Sequence, residues 1–248
     1  MPNLEEHPLT WGLIISNVLI FILVFSLPNI EAVFNAFSFS WGTKFELWRW
    51  FTSMFLHVSA SHLFFNMLGL FFFGKALEKE LSRQWFLSIY FIGGLIGTFV
   101  YMFTSTAPVV GASGCVFAVM GAAMLLNPIK RIHLYLFPLP LGVVGIAFVV
   151  FEVMAVYFQP SAVAEASNVA NIAHLGGAMT GGMFALFNNA KRSMKGLLVL
   201  GISILLLIFL APVFALIAGF ASFVLEVVDA VVGLVLYGLA GLLSNLWG

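Results

Sequence analysis

Apolar residues along this chain come in long, nearly unbroken runs, at about 11–27, 61–77, 85–104, 113–126, 134–158, 169–189, 196–219 and 221–246. A helix needs about 20 such residues to cross a hydrocarbon core ~30 Å thick, so the pattern predicts membrane-spanning helices. The last run is left open between a span and a helix lying at the interface. Residues 28–55, "PNIEAVFNAFSFSWGTKFELWRWFTSMF", are rich in Trp and Phe but too polar to span. That mixture suits the membrane–water boundary.

The run at 113–126 is the exception. Its 14 residues make about 21 Å of helix at ~1.5 Å per residue, too short for the core. Its inner end is fixed by "NPIKR" (127–131). Its outer end, Ser113, is therefore expected below the outer surface, with residues 105–112 dipping inward to meet it. Non-helical backbone at such depth is tolerated only inside protein or beside a wet cavity. Gly111 and Gly114, on either side of Ala112-Ser113, permit the turn.

Orientation follows from the cations. Lys75, Lys79 and Arg83, then Lys130 and Arg131, then Lys191, Arg192 and Lys195 occupy alternate loops, while the opposite loops hold only Lys44 and Arg49. By the positive-inside rule the three cation-rich loops and the N-terminus are cytoplasmic, and the second, fourth and sixth spans run from outside to inside. The first span has no basic residue ahead of it and no small-residue cleavage site, which reads as a retained span.

Composition narrows the function. The chain is 62% hydrophobic and 8% charged, against about 25% charged in a soluble domain. Formal net charge is zero, which gives no case for a nucleic-acid partner. A lone cysteine, Cys115, excludes an internal disulfide, and its spacing from Ser113 reads as packing.

Three equally oriented spans carry rare polar side chains at similar depth. The second has His62 and Asn66 at i, i+4 on one face, with His57 about a turn further out. The fourth begins at Ser113, and the sixth carries His174. Gly114, Ala118, Gly121 and Ala122 on the fourth span face a stripe of His174, Gly177, Ala178 and Gly181 on the sixth, a small-residue pattern that permits close approach. Read singly, Ser113 is an N-cap or packing residue and His174 a buried contact. Their convergence points to a serine nucleophile with a histidine base. The single aspartate, Asp229, excludes an aspartyl dyad. No HExxH supports a zinc protease, and the i, i+5 spacing of His57 and His62 is poor for a metal. No cofactor and no metal are expected.

Four motifs carry a family resemblance. "GASG" (111–114) resembles the GxSG nucleophile motif of the rhomboid intramembrane serine proteases. "AHLGGAMTG" (173–181) resembles AHxxGxxxG on their sixth helix. "HVSASHLFFN" (57–66) is similar to the pattern of their second helix, and "ELWRW" (46–50) to the Trp-Arg signature of their first loop. The resemblance implies a six-helix rhomboid core over 11–190, after a short cytoplasmic N-terminus (1–10) and before one or two further helices (191–248). It implies Ser113 as nucleophile and His174 as general base without an acid. The Ser113 amide, His62 and Asn66 would form the oxyanion group, with His57, Gly111 and Gly114 in support. Trp48 and Arg49 would anchor the first loop in the outer leaflet, and Glu78 would be a structural acid. Substrates would be single-pass or other transmembrane proteins, taken from membrane lipid and cut near their outer ends, with about 134–167 acting as a gate. One departure is visible: Phe117 stands where relatives often carry tyrosine, so the face that stacks on the histidine is kept and the hydroxyl is not. The alternatives are a catalytically inactive rhomboid-like binder of membrane proteins and a small-solute transporter.

Overall fold

The computed structural model describes residues 4–134, 137–157, 161–206, 208–209 and 227. Within them the chain is an all-α polytopic membrane protein interrupted by one short hairpin. It divides into two compact units, Met1–Leu200 and Gly201–Gly248. In the second, 201–206 and 208–209 are helical, whereas most of the expected segment 221–246, with Glu226 and Asp229, lies outside the described residues.

Among the described residues, three helices are long and apolar enough to cross a membrane: Pro8–Ser26, Ala60–Glu78 and Arg83–Met102. Helix α1 (Pro8–Ser26) starts on a proline, whose missing N–H costs nothing in a first turn. Its free amides are satisfied from another span. The Glu78 carboxylate accepts from Leu9 N (2.8 Å), Thr10 N (2.9 Å) and Thr10 Oγ1 (2.6 Å). These are charge-assisted bonds at the positive end of a helix, so Glu78 has the structural place expected of it. Leu19, Ile22, Leu23 and Phe25 point away from the protein, as lipid-facing residues must.

The segment expected at the interface folds as short pieces, α2 (Ile30–Phe37), α3 (Leu47–Thr52) and two 3-10 turns. The second span is α4 (Ala60–Gly69), a π-helical turn (Leu70–Gly74) and α5 (Lys75–Glu78), together one continuous helix. Helix α6 (Arg83–Met102) is capped by the Ser82 hydroxyl, which accepts from Trp85 N at 3.4 Å.

At the centre lies α7, Ser113–Leu126, the range read from the sequence. Ten of its 14 residues are buried, because neighbours cover it on nearly every side. Helix α9 (Ser161–Asn188) packs on it through glycine. A Cβ on Gly177 would sit 2.3 Å from Gly114 O, one on Gly181 1.8 Å from Ala118 O, and one on Gly121 2.3 Å from Ala178 O. Backbone meets backbone, as the small-residue stripes predict. The opposite edge of α9 exposes Leu175, Met179, Met183 and Phe187, spaced at four residues, so one helix presents a glycine seam inward and an apolar face outward. From the other side α6 offers Gly93 and Gly94, where added Cβ atoms would meet Ala118 Cβ at 2.1 Å and Cys115 Sγ at 2.3 Å.

Two boundaries differ from the sequence reading. The fifth span does not begin at 134. Arg131–Leu134 and Phe137–Pro140 pair antiparallel in a hairpin, with Arg131 opposite Pro140 and Leu134 opposite Phe137, and α8 follows at Leu141–Tyr157. Pro138 and Pro140 forbid a helix there, since each removes an amide donor. Helix α9 in turn starts at Ser161, eight residues ahead of the apolar run. Hydropathy ends at the polar Glu165 and Asn168, but helix propensity in this alanine-rich stretch does not.

The basic loops gather at one end of the bundle. The Glu80 carboxylate lies 3.3 Å from Lys130 Nζ and 3.0 Å from Arg192 Nη1. Lys130 also donates to Ala76 O at 3.2 Å, and Arg192 donates to the Asn127 side chain. Burial pushes the Glu80 pKa up, but hydrogen bonds and charge from Arg192 and Lys130 outweigh it and hold the group below its ordinary value. One acid thus joins three loops that the charge pattern assigns to the same side.

Candidate active site

Ser113 is the first residue of α7, and the backbone before it reaches this depth by borrowing partners from the first loop. Phe39 and Val109 exchange two hydrogen bonds, Phe39 N to Val109 O (3.2 Å) and Val109 N to Phe39 O (2.7 Å). Gly111 N donates to Ser53 O at 2.9 Å, and Ala112 N to His57 Nε2 at 3.4 Å. The amides of Val109, Gly111 and Ala112 are thus satisfied within the protein, which is the condition for irregular backbone within a membrane.

Gly111 has φ +122°, a conformation L side chains rarely adopt. The space is filled as well, because a Cβ there would lie 2.7 Å from His62 Nε2 and 3.8 Å from Asn66 Nδ2. The glycine lets the His62 ring and the Asn66 amide close on the turn that leads to Ser113. Asn66 is buried, and its Nδ2 donates to His62 O at 3.0 Å, which fixes the amide's direction. Ser113, His62 and His174 are half-buried.

His174 meets the same region from α9. Its ring stacks on Phe117 with centroids 4.4 Å apart and planes 5° from parallel. Phe117 is one turn after Ser113 on the same face of α7. The expected stacking face is present, with the Tyr-to-Phe exchange costing only the hydroxyl. Phe117 also contacts Phe148 of α8, at 6.1 Å between centroids, so the region expected to gate touches the ring beneath the histidine. Gly177 against Gly114 O holds this end of α9 against α7, and Gly97 of α6, where an added Cβ would lie 2.9 Å from Ala173 O, holds it against α6.

His57 is 1% exposed and stands 5.0 Å from His62, ring centre to ring centre, edge to face. Accepting from Ala112 N requires a lone pair on Nε2, hence a neutral ring. Burial, then the nearby His62, push its pKa down to about 4 from an ordinary 6.5, against the ring's interaction with the Phe55 backbone carbonyl, which raises it. The unfolded chain takes up a proton here before the folded one does. Its contribution, on the order of 3 kcal/mol, is therefore complete above about pH 6.5 and lost as pH falls from 6.5 towards 4. Thermal unfolding across that range should show the loss in wild type and its attenuation in His57→Gln, whose amide can still accept from Ala112 N but does not titrate.

Arg49 and Trp48 separate in their surroundings. Arg49 is 9% exposed and donates through Nη1 to Asn35 O (2.6 Å) and Ser38 O (3.0 Å), and through Nε to Glu46 Oε2 (2.8 Å). It pins the stretch that ends in Phe39, and through Phe39 it supports the Val109 strand. Trp48 is 53% exposed and faces outward. The indole that knits the loop is that of Trp50, donating to Lys44 O at 2.9 Å and lying 4.5 Å from the buried Phe39 ring. Sequence reading passed over Phe39, Ser53 and Trp50. Phe39 and Ser53 matter through backbone pairing with Val109 and Gly111, far along the chain, and Trp50 through its ring against Phe39, none of which a local pattern announces.

Comparison with known proteins agrees with the motifs. The family model described as Rhomboid domain matches residues 44–188, more than half of the chain. Among curated proteins, the RHOMBOID-like protein 12, mitochondrial, of Arabidopsis thaliana is 28% identical over 200 residues, covering 72% of this chain and 57% of that protein. The chain thus spans little more than half the length of this relative.

Proposed function

This chain belongs to the rhomboid family, and we propose that it works as an intramembrane serine endopeptidase on transmembrane proteins. The observation that carries this reading is the His174 ring stacked on Phe117, one helical turn from Ser113 at the start of a helix too short to span. Stacking fixes the plane of the imidazole, which a general base needs before its pKa matters. In the proposed reaction His174 takes the Ser113 hydroxyl proton as Oγ attacks the scissile carbonyl. The Ser113 amide, with His62 and Asn66, receives the developing oxyanion. His174 then returns the proton to the leaving amine, and water, activated by the same ring, releases the acyl-enzyme.

The cation-rich end of the bundle is assigned to the cytoplasm, so the site opens to the outer side, whether periplasmic, extracellular or luminal. Residues 11–190 form the catalytic core and 191–248 an addition to it. Neither a metal nor a cofactor enters this reaction.

The test is labelling of the purified full chain in detergent with a fluorophosphonate. Wild type is expected to become labelled and Ser113→Ala not, with equal thermal stability of the two. Folded wild type that stays unlabelled, in detergent and in liposomes, would overturn the nucleophile and leave a non-catalytic binder of membrane proteins.

A further inference from the structure

Away from the candidate active site, where the basic loops gather, a recess of about 380 Å³ lies between the start of α1, the end of the second span and the hairpin. Lys75, Lys79, Lys130 and Arg131 line it, against one acid, Glu6. Two of these cations are engaged: Lys79 with Glu6 at 3.0 Å and Lys130 with Glu80 at 3.3 Å. Lys75 lies over the Phe71 ring, 4.4 Å from its centre. Neither Lys75 nor Arg131 has a carboxylate partner among the described residues. With one acid on its wall, the recess carries an excess of positive charge.

A second, independent observation is His7. It lines the same recess, is 4% exposed, and its buried Nδ1 has no hydrogen-bond partner among the described residues. Its pKa is held below the ordinary value, by burial first and then by Lys79 and Lys75, over the opposing pull of Glu78 and Glu6. An unsatisfied buried nitrogen costs stability unless something fills its demand.

The walls say what kind of ligand fits. Phe71 and Phe72 line the recess above the lysines, within a span whose lower end is the membrane boundary. A charged floor with an aromatic wall at this level matches a headgroup anion whose chains run up into the hydrocarbon. We propose that this recess binds the phosphodiester headgroup of an anionic phospholipid. The shared chemistry is a phosphate anion, and its two sources, lipid and soluble phosphate, are separable by experiment. Basic pockets between spans near the cytoplasmic surface are suited to such headgroups. The assignment does not depend on catalysis.

Native mass spectrometry of the full chain released from phosphatidylcholine bicelles, with and without a minor share of phosphatidylglycerol, tests it. Wild type is expected to keep one phosphatidylglycerol under activation that strips phosphatidylcholine. Lys75→Gln combined with Arg131→Gln should weaken that retention about thirtyfold, at the usual worth of two surface cations. Both residues lack structural acid partners, so the variant should remain folded, and Lys75→Arg with Arg131→Lys should retain the lipid. Equal retention by wild type and the glutamine variant would overturn the site. A thermal shift of wild type by inorganic phosphate in pure phosphatidylcholine, without preference for phosphatidylglycerol, would overturn the lipid as its source.

Discussion

His174→Ala is expected to lower cleavage of a single-pass model substrate by at least about a thousandfold. A positioned general base contributes about 10²–10⁴ in rate, and here the same ring serves both as base and as acid. Stacking on Phe117 at 4.4 Å sets the plane of that ring, and the glycine seam beneath holds its helix in place. Two variants sharpen the test. Phe117→Tyr keeps the stacking face and should retain activity, whereas Phe117→Ala should lose an intermediate amount by freeing the ring. Asn66→Ala should lose about a hundredfold or more, the usual cost of one oxyanion donor. Single-turnover rates in liposomes, with protein folding checked by thermal unfolding, separate these outcomes. Unchanged cleavage in His174→Ala would remove this residue from the mechanism.

The second large effect is on assembly. Gly181→Val should prevent α9 from seating on α7 and cost roughly 3 kcal/mol or more, because a Cβ at this position would lie 1.8 Å from Ala118 O. The obstructing atom belongs to the backbone, so no rotamer change relieves it. The helices must part along the seam that also contains Gly177 and Gly114, which moves His174 away from the start of α7. Activity and thermal midpoint should therefore fall together. Gly12→Ala is the control: nothing lies within 4 Å of its would-be Cβ on α1, and helix propensity favours alanine. It should be neutral or slightly stabilising. A Gly181→Val protein with native stability would show that this close approach is not required.

Membership of the rhomboid family places the relation between these two effects in one physical frame. Within a bilayer the hydrophobic effect does not bring helices together, so close packing must do so. The glycines that permit packing stand one turn from the residues proposed for chemistry. Stability and geometry at this seam are consequently the same property.

What the sequence determined by itself was set by one-dimensional constraints. Span positions follow from apolar length, and α7 was readable to the residue, because a glycine turn opens it and Asn127-Pro128 closes it. The facing small-residue stripes of α7 and α9 were legible from periodicity, as was the sharing of one side by the basic loops. The candidate serine, histidines and asparagine were legible because polar side chains are costly and rare in such a chain.

Only the tertiary structure decided how the polar backbone around Ser113 is satisfied. Gly111 N finds Ser53 O, Ala112 N finds the His57 ring, and Val109 pairs with Phe39. The same holds for Arg49, whose partners are the carbonyls of Asn35 and Ser38, and for Glu78, which caps a helix 68 residues away. It holds again for Glu80, which joins three loops. Each is a hydrogen-bonding demand created by one segment and met by another far along the chain. Periodicity registers where a demand arises, but the partner is chosen by which segments pack together, and that is fixed only when the fold closes.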